Sequence, residues 1–227
     1  MRVYIGHDRR EEHAFSVAER TARSFGCDVF PLYEDRLRYA GVLTRPKDTR
    51  GQHWDFASGA PQSTDFAIAR FAVPIIAHSG LALFVDCDVV FMADPRSILA
   101  ALEPGKAAYC VKHRALDLGS VKMDGQAQTA YPRKLWSSVV LFDCDHRANR
   151  RLNIEMLNTW PGRDLHAFGW LHDDELGDLP PEANWLVGLQ PKPERPVIAH
   201  YTLGVPGMPD RDRTEHDSIW MEAASER

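Results

Sequence analysis

The chain has 227 residues, 44% hydrophobic and 26% charged, which fits a globular protein large enough to bury a sizeable core. Its net charge of −5 argues against a non-specific nucleic-acid binder. No run approaches the ~18 apolar residues of a membrane span, and the opening residues read as a strand rather than a signal peptide. The four cysteines are widely spaced without a Cys-x-x-Cys pair, as expected of reduced thiols in a cytoplasmic protein.

Residues 2–6 predict a short strand, followed by His7-Asp8-Arg9-Arg10. Ala14, Val17, Ala18, Thr21, Ala22 and Phe25 then recur at helical spacing, and Gly26 stops the helix. Residues 28–33 predict a second strand. This β-α-β opening, on a chain that goes on alternating, predicts a parallel α/β sheet with helices on both faces. Asp8 lies just past the first strand, either as a helix N-cap or as a ligand contact. Residues 43–62, with Pro46, Gly51, Gly59 and Pro61, read as a long loop. Ser63 would cap a helix over 64–78 that Pro74 kinks or interrupts. Arg70 stands alone in its apolar middle, and such an arginine pairs with a carboxylate or contacts substrate.

Beyond the acidic strand at 81–95, Asp94-Pro95 starts a helix over 96–102, and 107–113 is a strand. Residues 116–136 are polar, and 137–142 is a strand ending at Asp143. A helix is expected over 149–160 and irregular chain over 163–181, holding His166, His172, Asp173, Asp174, Glu175 and Asp178. Residues 196–201 form a last strand with His200 near its end, and 214–224 a terminal helix.

The chemistry concentrates at Asp86-Cys87-Asp88, where the buried run Leu81-Ala-Leu-Phe-Val85 ends abruptly. Alternate strand residues share a face, so the two carboxylates point the same way, about 6–7 Å apart along the chain. They would repel unless a cation or a shared proton lay between them, and open α/β sheets bind ligands at the carboxyl ends of their strands. Two enzyme classes use such a pair. A haloacid-dehalogenase-like phosphatase would take Asp86 as its nucleophile, but its motif normally lies on the first strand, and here a β-α-β unit precedes it. A nucleotide-sugar glycosyltransferase would use both carboxylates to hold a metal on the donor diphosphate. His200 would make a suitable third ligand for Mn²⁺ or Mg²⁺, or is a structural histidine.

Taken in order, several segments resemble the retaining glycosyltransferases of family 8 and their bacterial relatives, which have a GT-A fold. They are the strand ending in Asp8, Arg70-Phe-Ala-Val-Pro74, Phe84-Val-Asp-Cys-Asp-Val-Val90, Ser137-Ser-Val-Val-Leu-Phe142, Leu176-Gly-Asp-Leu-Pro-Pro181 with Asn184-Trp-Leu186, and His200-Tyr-Thr-x-Gly204. The likeness implies a Rossmann-like GT-A domain over 1–227, its nucleotide-binding part about 1–113 and its acceptor-side part about 114–227. It implies a divalent metal, Mn²⁺ ahead of Mg²⁺, on Asp86, Asp88 and His200. It also implies that His7, Asp8, Arg70, Asp86, Ser137 and Ser138 lie on the donor, and that Asp173 and Asp174 lie near the anomeric carbon. Two features depart from the family. Leu135 and Trp136 stand where an Asn is usual, and Val205-Pro-Gly-Met-Pro209 replaces a lysine near the diphosphate, whose charge Arg211 or Arg213 could supply.

The expectation is therefore a hexosyltransferase-like enzyme. It would transfer sugar from a nucleoside diphosphate donor, a UDP-sugar first, to a hydroxyl of a glycan, lipid-linked glycan or small molecule, with retention. The place expected is the cytoplasm or the inner membrane surface, without an integral membrane segment or a nucleic-acid partner. The alternatives are the phosphatase and a catalytically silent nucleotide-sugar binding protein.

Overall fold

The first strand, β1 (Arg2–Gly6), is buried from Val3 onward and sits inside the sheet, paired in parallel with strands on both sides. The chain leaves it through a 3-10 turn at Arg9–Glu11 capped by Asp8 and enters α1 (Glu12–Ser24). Ala14, Phe15, Val17, Ala18, Thr21 and Ala22 form the buried face of α1, as their spacing predicts. Gly26, at φ +70, ends the helix in the left-handed conformation that glycine adopts without steric penalty. β2 (Asp28–Leu32) and α2 (Glu34–Tyr39) follow. The computed structural model describes residues 1–114, 133, 135–209 and 211–225. Apart from residues 133, 135 and 136, the polar stretch 116–136 assigned to the acceptor side lies outside them.

The segment expected to be a long loop is folded instead. β3 (Lys47–Asp48), β4 (Trp54–Asp55) and β5 (Ala60–Pro61) make a small antiparallel sheet. Its anchor is an ion pair between Arg45 and Asp55, 2% and 0% exposed, with Arg45 also donating to the carbonyls of Leu157 and Trp160. The long helix expected over 64–78 is also shorter. A 3-10 turn at Ala69–Ala72 leads into α3 (Val73–Ile76), with Pro74 in its first turn, where a missing N–H costs nothing.

β6 (Leu81–Val85) is the apolar run read from sequence. Its last four residues are buried, each large side chain contributing about 1.5–3 kcal/mol of transfer free energy. β7 (Val89–Phe91), β8 (Ala108–Cys110), β9 (Val139–Asp143), α4 (Ile154–Thr159), α5 (Gly162–His166), β10 (Leu176–Asp178), β11 (Trp185–Leu186), β12 (Ile198–His200) and α6 (Asp217–Ser225) complete the chain. The helix expected over 149–160 is split: a 3-10 turn covers Arg147–Arg151, and Asn153 then caps α4 through the Met156 amide. The 96–102 helix is 3-10, over Pro95–Ala101. The irregular 163–181 stretch holds most of α5, a 3-10 turn at Asp173–Glu175 and β10.

The main sheet has the order β10-β8-β9-β6-β1-β2. It is mixed rather than parallel, because β9 runs against both β6 and β8 while the other five strands share one direction. β9 follows β8 in the chain and pairs with it antiparallel, a connection that needs no crossover helix. A second sheet, β11-β12-β7, stands beside it. α1 packs on β7, and the Thr21 hydroxyl accepts from the Phe91 amide at 3.2 Å. The main core surrounds the large sheet, and a smaller one joins Trp185, Tyr201 and Trp220 with Ala14 and Val17. No helix of the described residues is long and apolar enough to cross a membrane.

Candidate active site

The main chain between β6 and β7 carries Asp86, Cys87 and Asp88, and the two sheets bring this turn to His200. In the register of β12 against β7, His200 faces Val89, and the Tyr201 amide donates to the Asp88 carbonyl at 2.8 Å. Asp86, Asp88 and His200 thus offer two carboxylate oxygens and an imidazole nitrogen, all within 4.8 Å of one another. His200 Nε2 lies 3.2 Å from Asp88 Oδ1. His200 is buried, while the carboxylates keep side-chain exposures of 18% and 13%, enough for a ligand to reach them. Cys87, in the bend between the two strands, turns into the interior instead. Its buried thiol donates to Glu11 Oε2 at 2.8 Å, and burial pushes its pKa far up, so it is an inert anchor for the turn. All four cysteines are free thiols.

Arg70 is where sequence placed the lone cation of an apolar run, and it pairs with Asp86 Oδ1 at 2.8 Å. Its guanidinium lies over the rings of Phe66 and Phe84, 5.3 and 5.0 Å from their centroids, and donates to the Ser137 carbonyl at 2.8 Å. Phe66 in turn needs Gly6, because any Cβ there would come within 2.4 Å of its ring. Ser137 and Ser138 form the 3-10 turn ahead of β9, both buried. Ser137 Oγ is 2.6 Å from His166 Nδ1, and burial, reinforced by Arg70, holds His166 well below the usual histidine range. The Ser138 carbonyl accepts from the Asp86 amide at 2.9 Å. The serines therefore support the acidic turn, with their hydroxyls engaged inside the protein.

Sequence reasoning missed the layer behind His200. Asn184, fully buried, sets its Oδ1 2.9 Å from His200 Nδ1 and its Nδ2 3.0 Å from both Ser138 Oγ and His113 Nε2. Burial, with the nearby His200, pushes His113 down to about 4, so it is neutral at pH 7. Asn184 belongs to a segment the resemblance quotes, and that was the available signal.

Asp8 is wholly buried. It caps the 3-10 turn through the Arg10 amide, pairs with the Arg10 guanidinium at 2.6 Å and accepts from the Asp65 amide at 3.0 Å. Burial works to raise its pKa, but these hydrogen bonds outweigh it and hold the carboxyl below its usual range. Of the two roles weighed for Asp8, the cap is the one occupied here. His7 faces the Tyr33 ring at 4.5 Å and helps line a cavity of about 940 Å³ past the ends of β1 and β2. That cavity also holds Glu34, Lys47, His53 and Asp65.

Asp173 and Asp174 do not join this cluster. They precede β10, which lies three strand spacings, about 14 Å, from β6 and begins level with its start rather than its acidic end. The Asp173 carboxylate, 84% exposed, is paired with Arg133, which keeps its pKa low. Arg211 is equally committed, gripping Asp217 through its two terminal guanidinium nitrogens and donating from Nε to the Gly204 carbonyl, while Arg213 is exposed.

A search of known proteins aligns 99% of this chain with 86% of Protein CDI from Arabidopsis thaliana, at 33% identity over 234 residues. The chain belongs to the CDI family. No protein-family model matches it. Among solved structures, this CDI-family chain superposes on the galactosyltransferase LgtC, solved with donor and acceptor sugar analogues, with a TM-score of 0.56. The match is 16% identical and covers 99% of this chain and 95% of LgtC. The glycosyltransferase GlyE of Streptococcus pneumoniae TIGR4 gives 0.59 at 12% identity over the whole chain, and the bifunctional WbbM 0.60 at 12% over 99%. The chain spans 60% of the length of GlyE and 49% of WbbM. The CDI-family chain thus has the mixed α/β fold of GT-A glycosyltransferases.

Proposed function

We propose that this protein is a metal-dependent glycosyltransferase that moves a sugar from a nucleoside diphosphate, a UDP-sugar first, to an acceptor hydroxyl with retention. The observation that carries the reading is the meeting of Asp86, Asp88 and His200 at the carboxyl end of β6, in a fold shared with glycosyltransferases. Two carboxylates and one imidazole suit Mn²⁺ ahead of Mg²⁺. Such a cation, when bound, offsets charge on a departing diphosphate.

The chain's own residues hold that donor set in place. Arg70, resting over the adjacent rings of Phe66 and Phe84, fixes Asp86, and Cys87 ties the turn to Glu11. The cavity beside His7 and Tyr33 has room and aromatic surface for a nucleoside. Retention is taken from the likeness to family 8 enzymes. Asp173 and Asp174 are the groups proposed near the anomeric carbon, whether retention uses a carboxylate nucleophile or attack on the face the diphosphate leaves. The acceptor is a glycan, lipid-linked glycan or small molecule, and the cytoplasm or the inner membrane surface is the place proposed.

A thermal-shift screen of nucleoside diphosphates and their sugars, with and without Mn²⁺, tests the class and names the donor. Stabilisation that needs both nucleotide and metal, followed by transfer, is expected. Binding without turnover over a broad acceptor panel would leave a silent binder, and a phosphate mimic trapped on Asp86 would mean a phosphatase.

A further inference from the structure

The donor set works only if His200 turns a lone pair, not an N–H, toward Asp88 and the cation. An imidazole has two neutral forms, and the partner of its other nitrogen selects between them. Here that partner is Asn184, and its own orientation can be read from its neighbours. The Ser138 hydroxyl donates its single proton to the Leu135 carbonyl at 2.6 Å. Toward Asn184, 3.0 Å away, it can therefore only accept, so the amide presents Nδ2 there. Its Oδ1 is then the atom facing His200 Nδ1 at 2.9 Å, and the shared proton sits on the histidine.

We infer that Asn184 is a positioning residue, which with Ser138 fixes His200 as the Nδ1–H tautomer and so commits Nε2 to the Asp86–Asp88 cluster. The inference rests on the metal reading of that cluster and adds what makes its histidine competent. The sequence of hydrogen bonds is directional: the Leu135 carbonyl orients Ser138, Ser138 orients Asn184, and Asn184 orients His200. All three side chains are buried, 2%, 0% and 1% exposed, so water does not compete for these bonds. Leu135 itself holds a left-handed backbone conformation, φ 72, that brings its carbonyl to Ser138.

The test uses the full chain. Long-range ¹H–¹⁵N spectra of the histidine side chains, with His200 assigned by comparison with His200→Gln, report the tautomer directly and need no metal. The expected result is a protonated Nδ1 and a pyridine-type Nε2 in the wild type. A wild-type His200 protonated only on Nε2 overturns the inference. Mn²⁺ affinity, read by electron paramagnetic resonance without nucleotide, is expected to fall about 10- to 100-fold in Asn184→Leu. Asn184→Asp, which keeps the acceptor toward His200, should stay within a few-fold of wild type. Ser138→Ala serves as a milder variant should Asn184→Leu fail to fold, with a smaller loss in the same direction. Unchanged Mn²⁺ affinity in both Asn184→Leu and Ser138→Ala would also overturn it. A wild type that shows the expected tautomer but binds no Mn²⁺ supports the positioning role and sinks the metal reading instead, so the two failures are distinguishable.

Discussion

Among the described residues, two places gather the same inventory of ligands. Asp86, Asp88 and His200 meet at the acidic end of β6, and Glu34, His53 and Asp65 meet in the cavity past β2, in each case within 4.8 Å. The second cluster already contains a cation. Lys47 pairs with Glu34, lies 3.2 Å from His53 Nδ1 and reaches to 4.0 Å of Asp65. At the first cluster the paired cation is the Arg70 guanidinium, in contact with Asp86, resting over two adjacent aromatic rings and shared with the Ser137 carbonyl. Two carboxylates and a histidine therefore do not by themselves define a metal centre. What separates the clusters is whether the fold seats its own ammonium among the oxygens, and the comparison can be broken experimentally.

The largest effect is expected at the first cluster. Asp88→Asn removes one anionic ligand while keeping the shape of the turn, so nucleotide-dependent Mn²⁺ stabilisation should disappear. Transfer should fall by at least about 100-fold, with the melting temperature close to that of wild type. Unchanged turnover would remove the metal from the mechanism.

Next comes the platform beneath the second cluster. β3 carries Lys47 opposite Asp55, and Asp55 is the buried partner of Arg45. Asp55→Ala strands a buried guanidinium, a change that costs about 3–5 kcal/mol, or roughly 6–20 °C in a chain of this size. A shift in urea midpoint worth under about 1 kcal/mol would mean that Arg45 finds other company.

Lys47→Met strikes the comparison itself. Removing the ammonium leaves its carboxylate partners facing each other, which should cost about 2–3 kcal/mol. Made in the Asp88→Asn background, it should also create a response to Mn²⁺ that Asp88→Asn alone lacks, read as a rise in melting temperature. Equal responses with and without Lys47 would show that the lysine is not the cation of that cluster.

The sequence carried the first cluster far better than the second. An apolar run broken by two carboxylates, and a histidine at the end of another strand, are local patterns with a direct physical meaning, and the turn and β12 lie as those patterns imply. The small sheet at 43–62 owes its order to the Arg45–Asp55 pair, which composition cannot reveal. The direction of β9 and the place of β10 in the sheet are matters of strand pairing, and alternation along the chain is silent on both. The same holds for the helix expected over 64–78. From Phe66 to Ala77 every residue but Arg70 is apolar, so periodicity could not distinguish a long helix from two short turns packed in the core.

The smallest expected effect concerns Asp8, which stands between the clusters in that it accepts the Asp65 amide and caps the turn leading to Glu11 and Cys87. Its carboxyl is buried, which alone would raise its pKa, yet hydrogen bonds from Arg10 and two backbone amides hold it below the ordinary value. A depressed carboxyl stabilises the fold when ionised. That contribution is complete above the unfolded-state pKa of roughly 4 and is lost as pH falls through the folded value. Asn at this position still caps the turn but forgoes the charge toward Arg10, so Asp8→Asn should lower stability by about 1 kcal/mol at pH 7, some 2–4 °C. The gap to wild type should begin to close below about pH 4, where the unfolded carboxyl takes up its proton, and close fully only below the depressed folded value. Melting curves of both proteins across pH 3–7 measure this. A gap that stays constant down to pH 3 would mean that Asp8 acts through its shape as a cap rather than through its charge.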